Sequence, residues 1–239
     1  MKKLLMLSIA SMLITTNVHA AEEQPRELWE ASAELGFVST TGNTETETLN
    51  AKAEASTDRD QWRHAIEAAT LKSSDADTTT AQKFTLSGQS DYKLEGKKNY
   101  LFGLVSYENE KFSGYDYRVT ETIGYGRRVI EDEDLKLDLE IGPGARQSKL
   151  DSGKSDSEGL IYAAAKLKWQ VGKNSQFREV LTVDAGEDVT VTKSVTSLSS
   201  KVNGNLSMKV TFTYKNTSDV PVGVEETDTE TGVTLVYAF

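Results

Sequence analysis

Thr231-Gly-Val-Thr-Leu-Val-Tyr-Ala-Phe239 ends the sequence. Val233, Leu235, Tyr237 and Phe239 fall on one side of this stretch. Gly232, Thr234, Val236 and Ala238 fall on the other. A period of two is the spacing of a strand whose faces meet different surroundings. Chain ends in water usually fray, so a soluble domain rarely closes on an apolar strand with a terminal Phe. A strand that closes a membrane barrel has reason to do so. Its outer residues meet lipid, and its last aromatics, Tyr237 and Phe239, sit at headgroup level.

The same alternation recurs upstream. A first strand over about Leu28 to Ser39 sets Trp29, Ala31, Ala33, Leu35 and Phe37 against Glu30, Ser32 and Glu34. In the fourth, Phe84, Leu86, Gly88, Tyr92 and Leu94 oppose Lys83, Thr85, Ser87, Gln89, Asp91 and Lys93. In the seventh, Leu135, Leu137, Leu139 and Ile141 oppose Lys136, Asp138, Glu140 and Gly142. The eighth and eleventh follow suit. The fifth, near Tyr100 to Glu108, is apolar on both faces and its sides stay open. The ninth and tenth are weaker, and Glu121 interrupts the apolar face of the sixth.

The count comes to about 12, and an even number suits a single-chain bacterial membrane barrel. Segments of ~9–13 residues suit tilted membrane strands better than the shorter strands of a sandwich. Polar stretches such as Ser73 to Thr80, Lys111 to Asp116, Ser148 to Glu158 and Asn216 to Asp228 predict long loops at one end. Short turns, including a hairpin at Asn203-Gly204, are expected at the other. Gly142-Pro143-Gly144 reads as a kink or bulge. The predicted fold is therefore all-β: an antiparallel up-and-down transmembrane β-barrel with both termini on the periplasmic side. The rival architectures are a secreted sandwich and a soluble calyx, which would turn the apolar set inward.

The N-terminus predicts export. Lys2 and Lys3 precede an apolar run from Leu4 to Ile14, and Val18-His19-Ala20 offers a small-residue cleavage site. The run is too short to span a bilayer as a helix. The expected organisation is a signal peptide over 1–20, a periplasmic tail over 21–27 and a barrel over 28–239, located in a Gram-negative outer membrane. A mean hydropathy of −0.47 is compatible with this, because only every second strand residue has to meet lipid.

Composition excludes several functions. The formal charge is −10, and cleavage would remove two lysines, so nucleic acid is an unsuitable partner. There are no cysteines, hence no disulfides and no thiolate metal sites. After cleavage His64 is the one histidine left, so any Ser/His chemistry hangs on it. It shares a face with Trp62 and Ile66, and interfacial placement is the expectation. Gly153-Lys154-Ser155 lacks the earlier glycine and the helix of a phosphate loop. No cofactor and no metal are expected. The acidic stretch from Asp219 to Asp228 suggests divalent cations bridging to anionic glycolipid only weakly, since charged loops are usually just solvated.

The polar faces of strands six to eight supply the candidate site. Arg118, Arg128, Lys136, Asp138, Glu140, Lys166 and Lys168 should face the lumen on neighbouring strands. They would pair as a structural plug in a narrow barrel, or line water in a wider one.

Tyr117-Arg118, Ile123-Gly-Tyr-Gly126, Leu139-Glu-Ile-Gly-Pro-Gly144, the Thr41-Gly-Asn43 loop and the closing Asp228-Thr-Glu-Thr with Leu235-Val-Tyr-Ala-Phe239 occur in an order that resembles domain-of-unknown-function family 481. These are the YdiY-like salt-induced outer membrane proteins. The resemblance covers most of the mature chain. It implies outer-membrane location and a link to osmotic stress, with no catalytic or ligand residues. Outer-membrane barrels in general imply that the assembly machinery reads Phe239. The expected partners are outer-membrane lipid, lipopolysaccharide and that machinery, with the oligomeric state open. The expected function is a non-enzymatic envelope or osmotic-stress barrel, or a small channel. The alternatives are an outer-membrane lipase and a soluble periplasmic binding module.

Overall fold

The computed structural model describes residues 29–239 apart from 41–45, 76–77, 112 and 222. The signal peptide and the 21–27 tail lie outside the described residues. Twelve strands follow in order: β1 (Glu30–Thr40), β2 (Thr46–Asp58), β3 (Trp62–Asp75), β4 (Thr78–Lys93), β5 (Asn99–Lys111) and β6 (Tyr115–Glu131), then β7 (Leu135–Leu150), β8 (Ser155–Gly172), β9 (Ser175–Gly186), β10 (Thr190–Asn203), β11 (Leu206–Thr217) and β12 (Thr227–Ala238). Each strand pairs antiparallel with the next. β12 returns to β1 with Ala33 opposite Tyr237 and Leu35 opposite Leu235, which closes the barrel.

Burial is inverted relative to a soluble protein. Leu35, Phe37, Ile123, Ile141, Val233 and Leu235 are exposed, while Glu34, Asp91, Arg118, Glu140, Arg146 and Lys215 are buried. Most apolar residues point out and most charged ones point in, as a barrel in lipid requires. This removes the sandwich and the calyx. Aromatics gather at both ends of the outer face. Trp62 meets Tyr92 edge-on at 5.1 Å and Tyr237 meets Phe239 at 5.0 Å on the rim that carries the chain end. Phe84, Tyr107 and Tyr117 cluster toward the opposite rim.

The fifth strand resolves cleanly. Tyr100 and Phe102 are buried inside, with Leu104 packed against them, and Leu101 and Val105 are exposed outside. Glu121 lies on the outer face beside Val105, Ile123, Pro143 and Ala145, and nothing in the structure explains it.

Three expectations need correction. First, most of the long loops are strand. β3 runs to Asp75 and β4 starts at Thr78; β6 starts at Tyr115; β7 runs to Leu150 and β8 starts at Ser155. Only the connection between β11 and β12 remains long among the described ones. The polar residues there continue the ladder, because strand pairing satisfies backbone groups in water as well as in lipid. β6, β7 and β8 reach 17, 16 and 18 residues, beyond the ~9–11 that cross a bilayer. Second, Asn203 pairs with Leu206, so the tight turn is Gly204-Asn205, and only Gly204 has positive φ. Third, Gly142-Pro143 makes no bulge. The register is the same on both sides of the site, Thr122 with Gly144 and Tyr125 with Ile141. Pro143 has no N–H to give, and the bare backbones at Gly124 and Gly142 press together.

Candidate functional site: the barrel lumen

Twelve strands lie between small barrels that side chains fill and larger ones that hold water. The inward side chains therefore decide whether the lumen is open. They form two layers of ion pairs that reach across it.

The layer nearer the terminal rim centres on Glu140, whose side chain is fully enclosed. Lys166 Nζ lies 2.7 Å from its carboxylate. The Tyr100 and Tyr162 hydroxyls donate to it at 2.9 and 3.3 Å, and Gln89 Nε2 donates at 2.9 Å. Gln89 also accepts from Lys166 at 2.7 Å. Gln89 stands on β4 and Lys166 on β8, four strands apart. Arg63 of β3 joins Asp91 at 2.6 Å and reaches Asp138 of β7 at 3.3 Å. Arg128 holds the other side of Asp138 at 2.8 Å. Arg63 also lies 4.8 Å over the Tyr100 ring, a cation–π contact.

The layer nearer the loop rim centres on Glu108. Arg118 donates to it at 2.6 Å and Lys215 at 3.0 Å; Lys215 also meets Glu110 at 2.8 Å. β5 and β11 stand on opposite sides of the ring, so Lys215 spans the bore. Further pairs line the remaining wall: Lys209 with Glu34 at 2.8 Å, Lys52 with Glu67 at 2.6 Å, and Arg178 of β9 with Glu54 of β2 at 3.4 Å.

All seven lumen residues expected from β6 to β8 point inward. Arg118, Arg128, Asp138, Glu140 and Lys166 enter the two layers. Lys136 and Lys168 do not. They face each other in register at the terminal mouth, with Arg178 next to Lys168, and neither has an ion pair among the described residues. Most of their partners stand on strands other than β6 to β8. Arg63, Gln89, Asp91 and Lys215 sit on strands with the same alternation, and inward parity could have found them. Tyr100 and Glu108 could not have been found, because their strand is apolar on both faces.

Tyr237 and Phe239 are exposed on the outer face, and the Phe239 N–H bonds Ala31 C=O at 2.9 Å, which ties the end to β1. His64 also faces outward. It stacks on Trp62, and its Nδ1 lies 2.8 Å from Ser90 Oγ. Among the described hydrogen bonds no carboxylate or amide orients the other ring nitrogen, as acyl transfer needs. No cluster of metal ligands occurs among the described residues.

A closed antiparallel barrel, apolar outside and ion-paired inside, defines a porin-like barrel of outer-membrane type. The comparisons agree. The family described as "Protein of unknown function, DUF481" matches residues 33–239, and the chain belongs to it. It is 27% identical to "Uncharacterized protein YdiY" of Escherichia coli (strain K12) over 211 residues, covering 88% of this chain and 83% of that one. Among solved structures, the NanC porin aligns with a TM-score of 0.54 at 10% identity, covering 87% of this chain and 98% of that one. The COG4313 outer membrane channel from Pseudomonas putida F1 aligns at 0.51 and 11% identity, covering 91% and 100%. At such identities the likeness is one of fold.

Proposed function

We propose that the protein is a non-enzymatic barrel of the Gram-negative outer membrane whose own side chains hold its lumen shut at rest. Both chain ends face the periplasm. It serves the envelope as a sealed wall element and passes small solutes only when the charged layers part. The observation that carries this reading is Lys215 on β11 bound to Glu108 and Glu110 on β5, opposite sides of the ring. Ions screen the pairs that water reaches, such as Arg178 with Glu54, so ionic strength acts on that wall first. That fits the osmotic link implied by the family resemblance. Outer-membrane lipid and lipopolysaccharide surround the barrel. The assembly machinery reads the exposed Tyr237–Phe239 end.

Planar-bilayer recordings test this reading. Wild-type protein should show little steady conductance, and Lys215→Ala should raise it. A large steady conductance in wild type, unchanged by the substitution, would reject the latch. The lipase alternative rests on His64 and Ser90 alone. Esterase activity in purified protein that Ser90→Ala abolishes would establish it over the non-enzymatic reading.

A further inference from the structure

Near the loop rim, the outer face of β3 to β5 carries a rung of hydrogen-bond donors. Lys72 on β3, Gln82 on β4 and Lys111 on β5 stand in register. Their neighbours fix the side they face. Lys83 and Glu110 pair inside the lumen at 3.4 Å, so the adjacent Gln82 and Lys111 point out. Lys72 stands opposite Leu49, which is exposed on the outside, so it points out as well. Both lysines are exposed, and neither has an ion pair among the described residues.

Phe84 sets the level of this rung, one outward step along β4 toward the bilayer. Its ring meets Tyr107 at 6.2 Å, and Tyr107 stacks on Tyr117 at 6.1 Å. Such aromatics mark the headgroup level of a membrane. Lys72 and Lys111 therefore stand where lipid phosphates do. Other outward charges on this shelf are accounted for. The Lys149 ammonium lies 5.9 Å over the Tyr117 ring, but Asp116 holds it at 2.9 Å. Glu47 points out one step beyond Leu49, opposite Ser74, and pairs with neither lysine among the described residues.

We propose that Lys72, Gln82 and Lys111 hold a phosphate of the outer-leaflet glycolipid, the phosphorylated sugar headgroup of lipopolysaccharide. The assignment rests on the orientation proposed above, with the loop rim outside. Lipid covers the outward face of a membrane barrel, and the donors select the headgroup. Two strand spacings put the lysine backbones about 10 Å apart. Each ammonium rides on a flexible four-carbon stem, so both can close on one anion between them. The Gln82 amide lies in the middle and adds two N–H donors. A phosphate has acceptor oxygens for all three, and charge-assisted bonds are the strong ones. Above the rung the ladder continues, β3 to Asp75 and β4 from Thr78. Sugars attached to the phosphate lie along that polar wall, which a short phospholipid headgroup leaves bare.

Native mass spectrometry of the folded protein in detergent, titrated with diphosphoryl lipid A, tests the site. Binding in detergent depends neither on the state of the lumen nor on orientation, so its outcome stands apart from the planar-bilayer recordings. Wild type should carry a lipid A adduct. Lys72→Ala with Lys111→Ala should weaken binding by about tenfold or more, since two charged hydrogen bonds are lost. Lys72→Arg with Lys111→Arg should keep most of it. Lys97→Ala with Lys98→Ala removes the same charge from the turn before β5 at the terminal rim, and should leave binding unchanged. A heat shift on detergent gels reports that each variant is folded. The proposal is overturned by an absence of binding, by equal weakening in the two alanine pairs, or by dephosphorylated lipid A or phosphatidylglycerol binding as tightly as the diphosphoryl form.

Discussion

The two inner walls of the barrel are built differently. From β5 to β8 the wall resembles the core of a soluble domain. Tyr100, Phe102, Leu160, Tyr162 and Ala164 pack into one buried cluster, with Leu104 against it. Phe102 and Tyr162 meet at 5.8 Å. The rings fit because β6 presents glycine beneath them: a Cβ on Gly126 would enter the Tyr100 ring, and one on Gly124 would strike Phe102. From β9 round to β2 the wall is hydroxyls and ion pairs, with Glu54 and Arg178 partly exposed. Rings on glycine leave no room to rearrange. Long charged side chains can swing. The first wall is a fixed buttress and the second is the side on which the lumen can open.

This contrast is sharpened first by glycine. Gly126→Val should abolish assembly, seen as loss of the heat-shifted band, because the new side chain has nowhere to go. Gly88→Val, which faces open space on the outer surface, should assemble normally. Next, Phe102→Ala should lower unfolding stability in lipid vesicles by about 4 kcal/mol, read from tryptophan fluorescence in urea, whereas Val195→Ala on the opposite wall should cost about 1 kcal/mol. Glu140→Gln should come third, at about 3 kcal/mol, since it strands Lys166 beside two phenols. The smallest effect should be Glu54→Gln, below about 1 kcal/mol, because its pair is half in water. Equal costs for Glu140 and Glu54 would break the comparison.

How far the sequence could be read follows the same division. Alternation announced the charged wall, since Lys52, Glu54 and Lys209 each sit between outward apolar neighbours. It also predicted the strand count and the outward Tyr237 and Phe239. The buttress was illegible. Tyr100 to Leu104 is apolar on both faces, so periodicity has no sign there, and the Gly124 and Gly126 that accommodate it have no side chain to mark a packed face. Loop length misled for a related reason. Once strands leave the bilayer, both faces turn polar and alternation vanishes while pairing continues, as in Ser148 to Leu150 and Ser155 to Glu158. Which charges meet across the bore depends on strands far apart in sequence. Arg63 with Asp138 and Lys215 with Glu108 are contacts that only closure of the ring creates.

Access from outside to the middle of the lumen tests the latch most directly. Thr211 of β11 points inward between Lys209 and Lys215, below the loop-rim layer. In intact outer membranes a Thr211→Cys chain should react slowly with a charged thiosulfonate added outside, and much faster once Lys215→Ala is added. Rapid labelling in both, at the same rate, would mean the bore is open already and the account of a self-sealed barrel is wrong.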